Sequence, residues 1–302
     1  MTLIALAFNH AQYLPQLFAS IQQNISSLRE LLFIDNGSTD HSALMMRQFL
    51  DSLEGQVETR LFCNPPRTGV TQALNAALQA AASEFIAVIS ADDFFLPKRF
   101  TAQLGAMHRE PEVQFCYSNG YACDDAGHLS TIPVHDTSTV ALLNSETSTV
   151  IHRLFYPVPR LFTQCALFRR SALLGIGGWD EDLLIDDWPL NLKLFSRYSE
   201  AFRYVPDFVC AYRRHPTNAS KRRFRQYNGQ KQVLIKYGRG FDLERGLFSL
   251  FSAQWLASMK RRQWWRAKIF LSAAWSREPG ARFVMQWLSD ETRRHLRSRR
   301  IR

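Results

Sequence analysis

Over the first 120 residues, hydrophobic positions come in short runs whose period alternates. Residues 3–8 form an apolar run of strand length. Across residues 13–23, Leu14, Leu17, Phe18 and Ile21 recur at the spacing of one helix face. Residues 31–34 are a second apolar run, closed by Asp35-Asn36-Gly37-Ser38, and residues 42–53 return to the helical period. Residues 57–62 read as a third strand, the alanine-rich 71–82 as a helix, 85–89 as a fourth strand and 113–118 as a fifth. Strands alternating with helices predict an α/β fold with a mainly parallel sheet flanked by helices. In such sheets ligands bind outside the carboxyl ends of the strands. That rule singles out Asn9-His10, Asp35-Asn36, Asn64-Pro65 and Asp92-Asp93.

From about 130 to 220 the alternation weakens, and Pro157, Pro159 and Gly175-Ile176-Gly177-Gly178 mark turns. After Ser220 the chain becomes rich in Arg, Lys, Trp and Phe, which predicts a domain over 1–220 and a helical extension over 221–302. In the extension, Leu247, Phe248, Leu250, Phe251, Trp255, Leu256 and Met259 repeat at helical spacing, as do Trp264, Lys268, Leu271 and Trp275 before Pro279. Phe283, Val284, Trp287 and Leu288 predict one more helix.

Charge sharpens this division. The chain carries a net +10, but residues 221–302 alone hold 21 Lys and Arg against 5 Asp and Glu, a net +16, which leaves the first 220 residues at −6. A basic extension on an acidic body predicts contact with anionic phosphates. There is no zinc-finger spacing and no aromatic RNA-binding signature, so nucleic acid is not an expected partner. Two readings of the extension stay open: a helical subdomain packed on a core, and a basic amphipathic surface against an anionic membrane. The five scattered cysteines lack any C-x-x-C pair, which argues for a reducing compartment rather than a zinc or disulfide framework. No basic residue precedes the first apolar run and no 18 apolar residues are consecutive, so neither a signal peptide nor a membrane span is expected. Together these predict a cytoplasmic protein, with peripheral contact at the inner face of a membrane under the second reading.

Three segments carry candidate chemistry. An apolar strand ending in Asp92-Asp93 suits a hard divalent cation, which takes carboxylate and phosphate oxygens, although Asp also serves turns and helix caps. Asp186-Asp187 follows Trp179-Asp180-Glu181 closely, so one of these carboxylates can serve as a general base; an acidic loop capping a helix is the alternative. Tyr212-Arg213-Arg214-His215 offers Arg214 and His215 to a diphosphate or its metal, or simply a structural histidine.

In order along residues 2–220, the chain resembles the inverting family 2 glycosyltransferases of the GT-A nucleotide-sugar-binding fold. Phe8-Asn9-His10-Ala11-Gln12-Tyr13-Leu14 is similar to the family's opening strand and helix. Phe33-Ile34-Asp35-Asn36-Gly37-Ser38-Thr39-Asp40 resembles its second-strand signature. Asn64-Pro65-Pro66-Arg67-Thr68-Gly69 with Leu74-Asn75 resembles the segment before the metal strand. Ser90-Ala91-Asp92-Asp93 resembles the metal-binding D-x-D region, with Ser at its first position. Gly178-Trp179-Asp180-Glu181 and Asp186-Asp187-Trp188 resemble the acceptor-side segment.

The resemblance implies a glycosyltransferase that uses Mg²⁺ or Mn²⁺, a nucleotide-diphosphate-sugar donor and a glycan or lipid-linked acceptor, as in bacterial surface polysaccharide or lipopolysaccharide assembly. It implies Asp93 as the direct metal ligand, completed by His215, and Asp187 as the base. Donor contacts fall to Phe8, Asn9, Asp35, Asn36, Asn64, Arg67, Gly69, Asn75, Asp92 and Arg214. Trp179, Asp180, Glu181, Asp186 and Trp188 fall on the acceptor side. The rival from another class is a non-catalytic nucleotide-sugar or polyanion-binding protein that keeps the fold; it needs none of Asp92, Asp93 and Asp187. A nucleotidyltransferase is a further rival, disfavoured by the acceptor-side match.

Overall fold

A computed structural model of the chain describes residues 1–66, 68–155, 161–218 and 221–275. The helix expected around residues 283–288 lies outside them.

The first elements follow the predicted alternation. They are β1 (Thr2–Ala7), α1 (Leu14–Gln23), β2 (Glu30–Asp35), α2 (Ser42–Ser52), β3 (Glu58–Cys63), α3 (Val70–Ala80) and β4 (Phe85–Ser90). Then come β5 (Phe94–Phe95), α4 (Thr101–Arg109), β6 (Phe115–Cys123), β7 (Leu129–Pro133), α5 (Thr137–Leu143), α6 (Thr147–Phe155), β8 (Ala166–Arg169), α7 (Arg170–Gly175), α8 (Asp187–Arg197) and β9 (Phe202–Arg213). The chain continues as α9 (Arg223–Tyr237), α10 (Gly240–Lys260) and α11 (Trp264–Trp275).

Among the described residues the strands form one sheet in the order β3-β2-β1-β4-β8-β6-β9-β5, with β7 paired to β6. The ladders β3/β2, β2/β1, β1/β4 and β6/β9 are parallel; β8 runs antiparallel between β4 and β6. Leu3, Ile4, Leu31, Leu32, Ile34 and Ile86 are fully buried, as expected for strands covered on both faces. On one of those faces the rings of Phe18 and Phe49 stack at 4.2 Å and meet Phe33 of β2 edge-on, tying α1 and α2 to the sheet.

The two-residue β5 was not legible as a strand, yet it matters most for the site. It pairs antiparallel with β9, Phe94 opposite Ala211 and Phe95 opposite Cys210. This draws the end of β9 beside the turn that follows β4.

The chain divides into two compact units. The first comprises Met1–Val150, Arg160–Asp182 and Asp186–Lys221; the second comprises Ile151–Pro159, Leu183–Ile185 and Arg222–Arg302. Within the second unit, α10 packs on both α9 and α11, and the rings of Tyr227 and Phe270 meet at 5.5 Å. Among the described residues no helix is long and apolar enough to cross a membrane.

Candidate active site

The buried run of β4 carries Asp92 and Asp93 to the carboxyl end of the sheet, and their surroundings differ sharply. Asp93 is 2% exposed, and both its oxygens are engaged by protein: Arg213 N donates to Oδ1 at 2.7 Å and Gln164 Nε2 to Oδ2 at 2.8 Å. Burial, reinforced by the neighbouring Asp92 charge, holds its carboxyl well above the usual range. At Asp92, His215 Nε2 lies 2.9 Å from Oδ2, and Oδ1 is buried with no protein partner. Burial alone would raise this carboxyl, but the His215 hydrogen bond and the His10 charge outweigh it and hold the carboxyl below its ordinary value. Sequence resemblance pointed to Asp93 as the direct ligand. In the structure both Asp93 oxygens accept from protein donors, and Asp92 keeps one buried oxygen without a hydrogen-bond partner.

His215 is aimed by its neighbours. Its Nδ1 lies 2.8 Å from Thr217 Oγ1 and its backbone N donates to Asn218 Oδ1 at 2.6 Å, leaving Nε2 for Asp92. The His10 ring is 6.4 Å from the His215 ring, and its Nδ1 is likewise buried without a partner. Burial lowers the His10 pKa, with the Asp92 charge pulling the other way.

The residue that sequence reasoning missed is Arg213. It is 2% exposed; Nε donates to Asp92 O at 2.6 Å, Nη1 to Asp125 O at 2.7 Å and Nη2 to Gln16 Oε1 at 2.5 Å, with the guanidinium 4.8 Å from the centre of the Tyr13 ring. Arg214, the expected donor contact, points to the exposed side. The alternation of strand β9 was the signal that distinguishes them: Ala211 and Arg213 face in, Arg214 faces out.

On the donor side the expected amides build loops. Asn9 adopts φ 55°, its backbone N donates to Ser38 Oγ at 2.9 Å, and its Oδ1 accepts from Thr39 N at 2.8 Å. His10 N and Ala11 N donate to Ser42 Oγ and Asp40 Oδ2 at 2.9 and 3.1 Å, so the loops after β1 and β2 are stitched together. Asn36 Nδ2 donates to Thr68 O at 3.0 Å while its Oδ1 accepts from Asn64 Nδ2 at 3.1 Å. Gly37, at φ 83°, is required here, because a Cβ would lie 2.8 Å from Pro66 Cα. Gly69 caps the start of α3. What these loops frame is Asp35, whose carboxylate accepts from Ser38 N at 3.3 Å, and Phe8, 46% exposed at the end of β1. Arg67 lies outside the described residues.

Asn75, also expected on the donor side, is held by the loop that carries Trp179 and Glu181, residues expected on the acceptor side. Its Oδ1 accepts from Trp179 N at 2.8 Å, and its Nδ2 donates to Trp179 O at 2.9 Å and Glu181 Oε1 at 2.8 Å. Lys193 Nζ donates to Gly178 O and lies 3.4 Å from Asp180 Oδ1. Trp179 and Trp188 are buried, and Asp186 occupies the N-cap position of α8. Asp187 opens that helix; the residue keeps an edge to solvent while protein packs densely round its carboxyl. The Thr163 hydroxyl donates to its Oδ1. Burial and the adjacent Asp186 charge raise the Asp187 carboxyl to about 8, against the pull of Thr163.

The site therefore pairs a carboxylate–imidazole couple that has a free oxygen with a second, buried carboxyl of raised proton affinity. Residues 2–177 match the family model of Glycosyl transferase family 2. The chain belongs to that family. This glycosyltransferase is 24% identical over 212 residues to the amylovoran biosynthesis glycosyltransferase AmsE of Erwinia amylovora, spanning 70% of this chain and 74% of that one. It spans about half or less of several other curated relatives. Its fold matches the mannosyltransferase PcManGT from Pyrobaculum calidifontis, solved with GDP-Man and Mn²⁺, at TM-score 0.60 and 18% identity over 96% of this chain and 79% of that one. It also matches residues 1–349 of S. aureus TarS, solved with UDP-GlcNAc, at TM-score 0.58 and 16% identity over 81% and 69%. The glycosyltransferase thus has the GT-A fold expected from its sequence.

Proposed function

We propose that this glycosyltransferase is an inverting, metal-dependent enzyme that transfers a sugar from a nucleotide-diphosphate-sugar to an acceptor hydroxyl. The observation that carries the reading is the buried, unpartnered Asp92 Oδ1 beside His215 Nε2 at the carboxyl end of the sheet. A cation bound by two protein ligands and completed by phosphate oxygens fits that couple. Among the described residues no group of three or more His, Cys, Asp or Glu is placed to hold a metal ion by itself. Asp92 and His215 would hold Mg²⁺ or Mn²⁺, and Asp93 supports the loop. When bound, the ion supplies charge neutralisation for the departing diphosphate.

Asp35 and Phe8 are the groups left to meet the nucleoside. Asp187 takes the acceptor proton as the acceptor oxygen bonds to the anomeric carbon. The sugar–phosphate C–O bond breaks and the nucleoside diphosphate leaves with the electron pair. One base and no nucleophilic carboxylate give a single displacement, hence inversion. The likeness to AmsE, to a poly-beta-1,6-N-acetyl-D-glucosamine synthase and to a glucosyltransferase acting on GlcNAc-diphosphoundecaprenol supports a glycan or lipid-linked acceptor in bacterial polysaccharide assembly, and the basic extension supports recruitment to an anionic membrane surface. A panel of nucleotide sugars, UDP-GlcNAc and GDP-Man among them, scored for Mn²⁺-dependent thermal stabilisation and nucleoside diphosphate release, tests the reading. A panel without any metal-dependent response refutes it.

A further inference from the structure

One short segment, residues 161–166, touches both halves of the site. Gln164 donates to Asp93, and the preceding Thr163 donates to Asp187 Oδ1. The segment is held rigidly from two sides. Buried Arg99 donates through Nη2 to Gln164 O at 3.0 Å and Ala166 O at 2.9 Å, and Gln103 Nε2 donates to Cys165 O at 2.9 Å. Across from them, His135 Nε2 accepts from Phe162 N at 3.2 Å while its Nδ1 donates to Ser118 O at 3.0 Å. Burial pushes the His135 pKa down to about 4, so the neutral ring keeps one donor and one acceptor as these bonds require. The backbone that carries Thr163 is thus fixed in place independently of Asp187.

We propose that Thr163 is a positioning residue for the transfer reaction, aiming the Asp187 carboxylate and stabilising it as an anion. The inference rests on the assignment of Asp187 as base. Thr163 occupies Oδ1, which leaves Oδ2 as the oxygen to receive the acceptor proton. The other groups around Asp187 do not help it ionise. Asp186 on its own helix repels a second negative charge. Tyr117 from β6 is buried and held neutral, and donates to Asn191 Oδ1 at 2.7 Å. Asn191 in turn donates only to the Asp187 backbone oxygen, at 2.8 Å. The hydroxyl of Thr163 is the donor aimed at the carboxylate itself, preorganised where charge must reside.

The test is a pH titration of the full chain labelled with ¹³C at the Asp carboxyl carbons. The resonance missing from Asp187→Asn identifies Asp187. Thr163→Val is expected to raise the midpoint of that resonance by about one unit, the scale of one charge-assisted hydrogen bond, and Thr163→Ser to restore it. With the nucleotide sugar that the wild type turns over, Thr163→Val should lose roughly 10-fold in kcat at pH 7 and recover at higher pH. Should Thr163→Val not fold, Thr163→Ala provides the same readings. An unchanged midpoint and pH–rate profile in the hydroxyl-free variant overturns the proposal while the base assignment stands. Wild-type transfer by Asp187→Asn removes the base assignment, and this inference falls with it.

Discussion

Asn75 grips the backbone of Trp179 from both sides, accepting from its N–H at 2.8 Å and donating to its carbonyl at 2.9 Å. A side-chain amide here imitates a strand neighbour, so the Trp179 loop is registered to α3 across 104 residues of sequence. Gly178 makes the approach possible. It sits at φ 64°, and a Cβ there would lie 2.3 Å from Asn75 Oδ1.

Asn75→Ala should therefore cost about 1–3 kcal/mol of stability, since it leaves buried backbone groups of Trp179 unpaired. Calorimetric affinity for a nucleoside diphosphate with Mn²⁺ should stay within a factor of about two to three, while KM for the acceptor rises. Gly178→Ala should show the same split more severely, because it adds backbone strain. Equal losses in donor and acceptor binding would contradict the placement of this amide.

Asp92 and Asp93 should separate under substitution. Asp92→Asn is expected to weaken Mn²⁺-dependent binding of UDP or GDP at least 10-fold with little change in melting temperature. Asp93→Ala strands the Arg213 N–H and the Gln164 amide, so its main effect should be a stability loss of about 1–3 kcal/mol per unpaired group. Asp93→Asn, paired with a flipped Gln164 amide, should retain most metal-dependent affinity. A titration in which Asp93→Asn abolishes the metal dependence and Asp92→Asn preserves it would reverse the assignment.

Asp187 gives stability a pH signature. Its folded value of about 8 lies above the ordinary aspartate value of 3.8. The folded state therefore binds this proton more tightly than the unfolded chain does. The contribution is fully present below about pH 4 and is lost as pH rises through about 8. Melting temperatures of Asp187→Asn and wild type should thus diverge with increasing pH, the variant becoming more stable by a few degrees near pH 9. Transfer should fall by roughly 10² to 10⁴ in the same variant, and wild-type activity should rise with pH as the base loses its proton. Parallel melting curves from pH 5 to 9 would show that this carboxyl titrates normally.

The second unit exposes Trp264 and Trp265 at 61% and 64%, together with Ile269, and the Arg266 guanidinium lies 5.0 Å from the centre of the Trp265 ring. Co-sedimentation with anionic liposomes at low salt should retain the full chain, and neutral liposomes should not. Reversing Arg261, Arg262 and Arg266 to Glu should release it, each basic group near the surface contributing about 1 kcal/mol. Raising the salt should weaken retention. Equal recovery on neutral and anionic vesicles would rule out an electrostatic surface.

The strands and helices of the first 90 residues were legible because each is long enough to display its period. The sheet beyond them was not. β5 has two residues, and β8 and β9 owe their places to partners distant in sequence rather than to any pattern of their own. For the site, the sequence singled out segments that the fold brings together, Asp92 with His215 and Asn75 with Trp179. It could not tell which of two adjacent carboxylates is enclosed, because that depends on Gln164 and Arg213 arriving from 71 and 120 residues away. Nor could it show Asn75 turned toward Trp179, or the buried Arg99 and Gln103 behind Thr163. These are ordinary polar residues whose roles come from what folds against them.

His215 meets Asp92 across 123 residues of chain. Both the pairing of β5 with β9 and the closure of Asn218 against Arg213 O, at 3.1 Å, stand between the nascent polypeptide and that meeting. A ribosome that has released only the first 200 residues has produced most of the sheet but not the Asp92–His215 couple. Long-range contacts of this kind form late in folding. On the proposed reading, the growing chain gains metal-dependent donor binding only once the last strand is in place, so that binding would report that synthesis has passed β9.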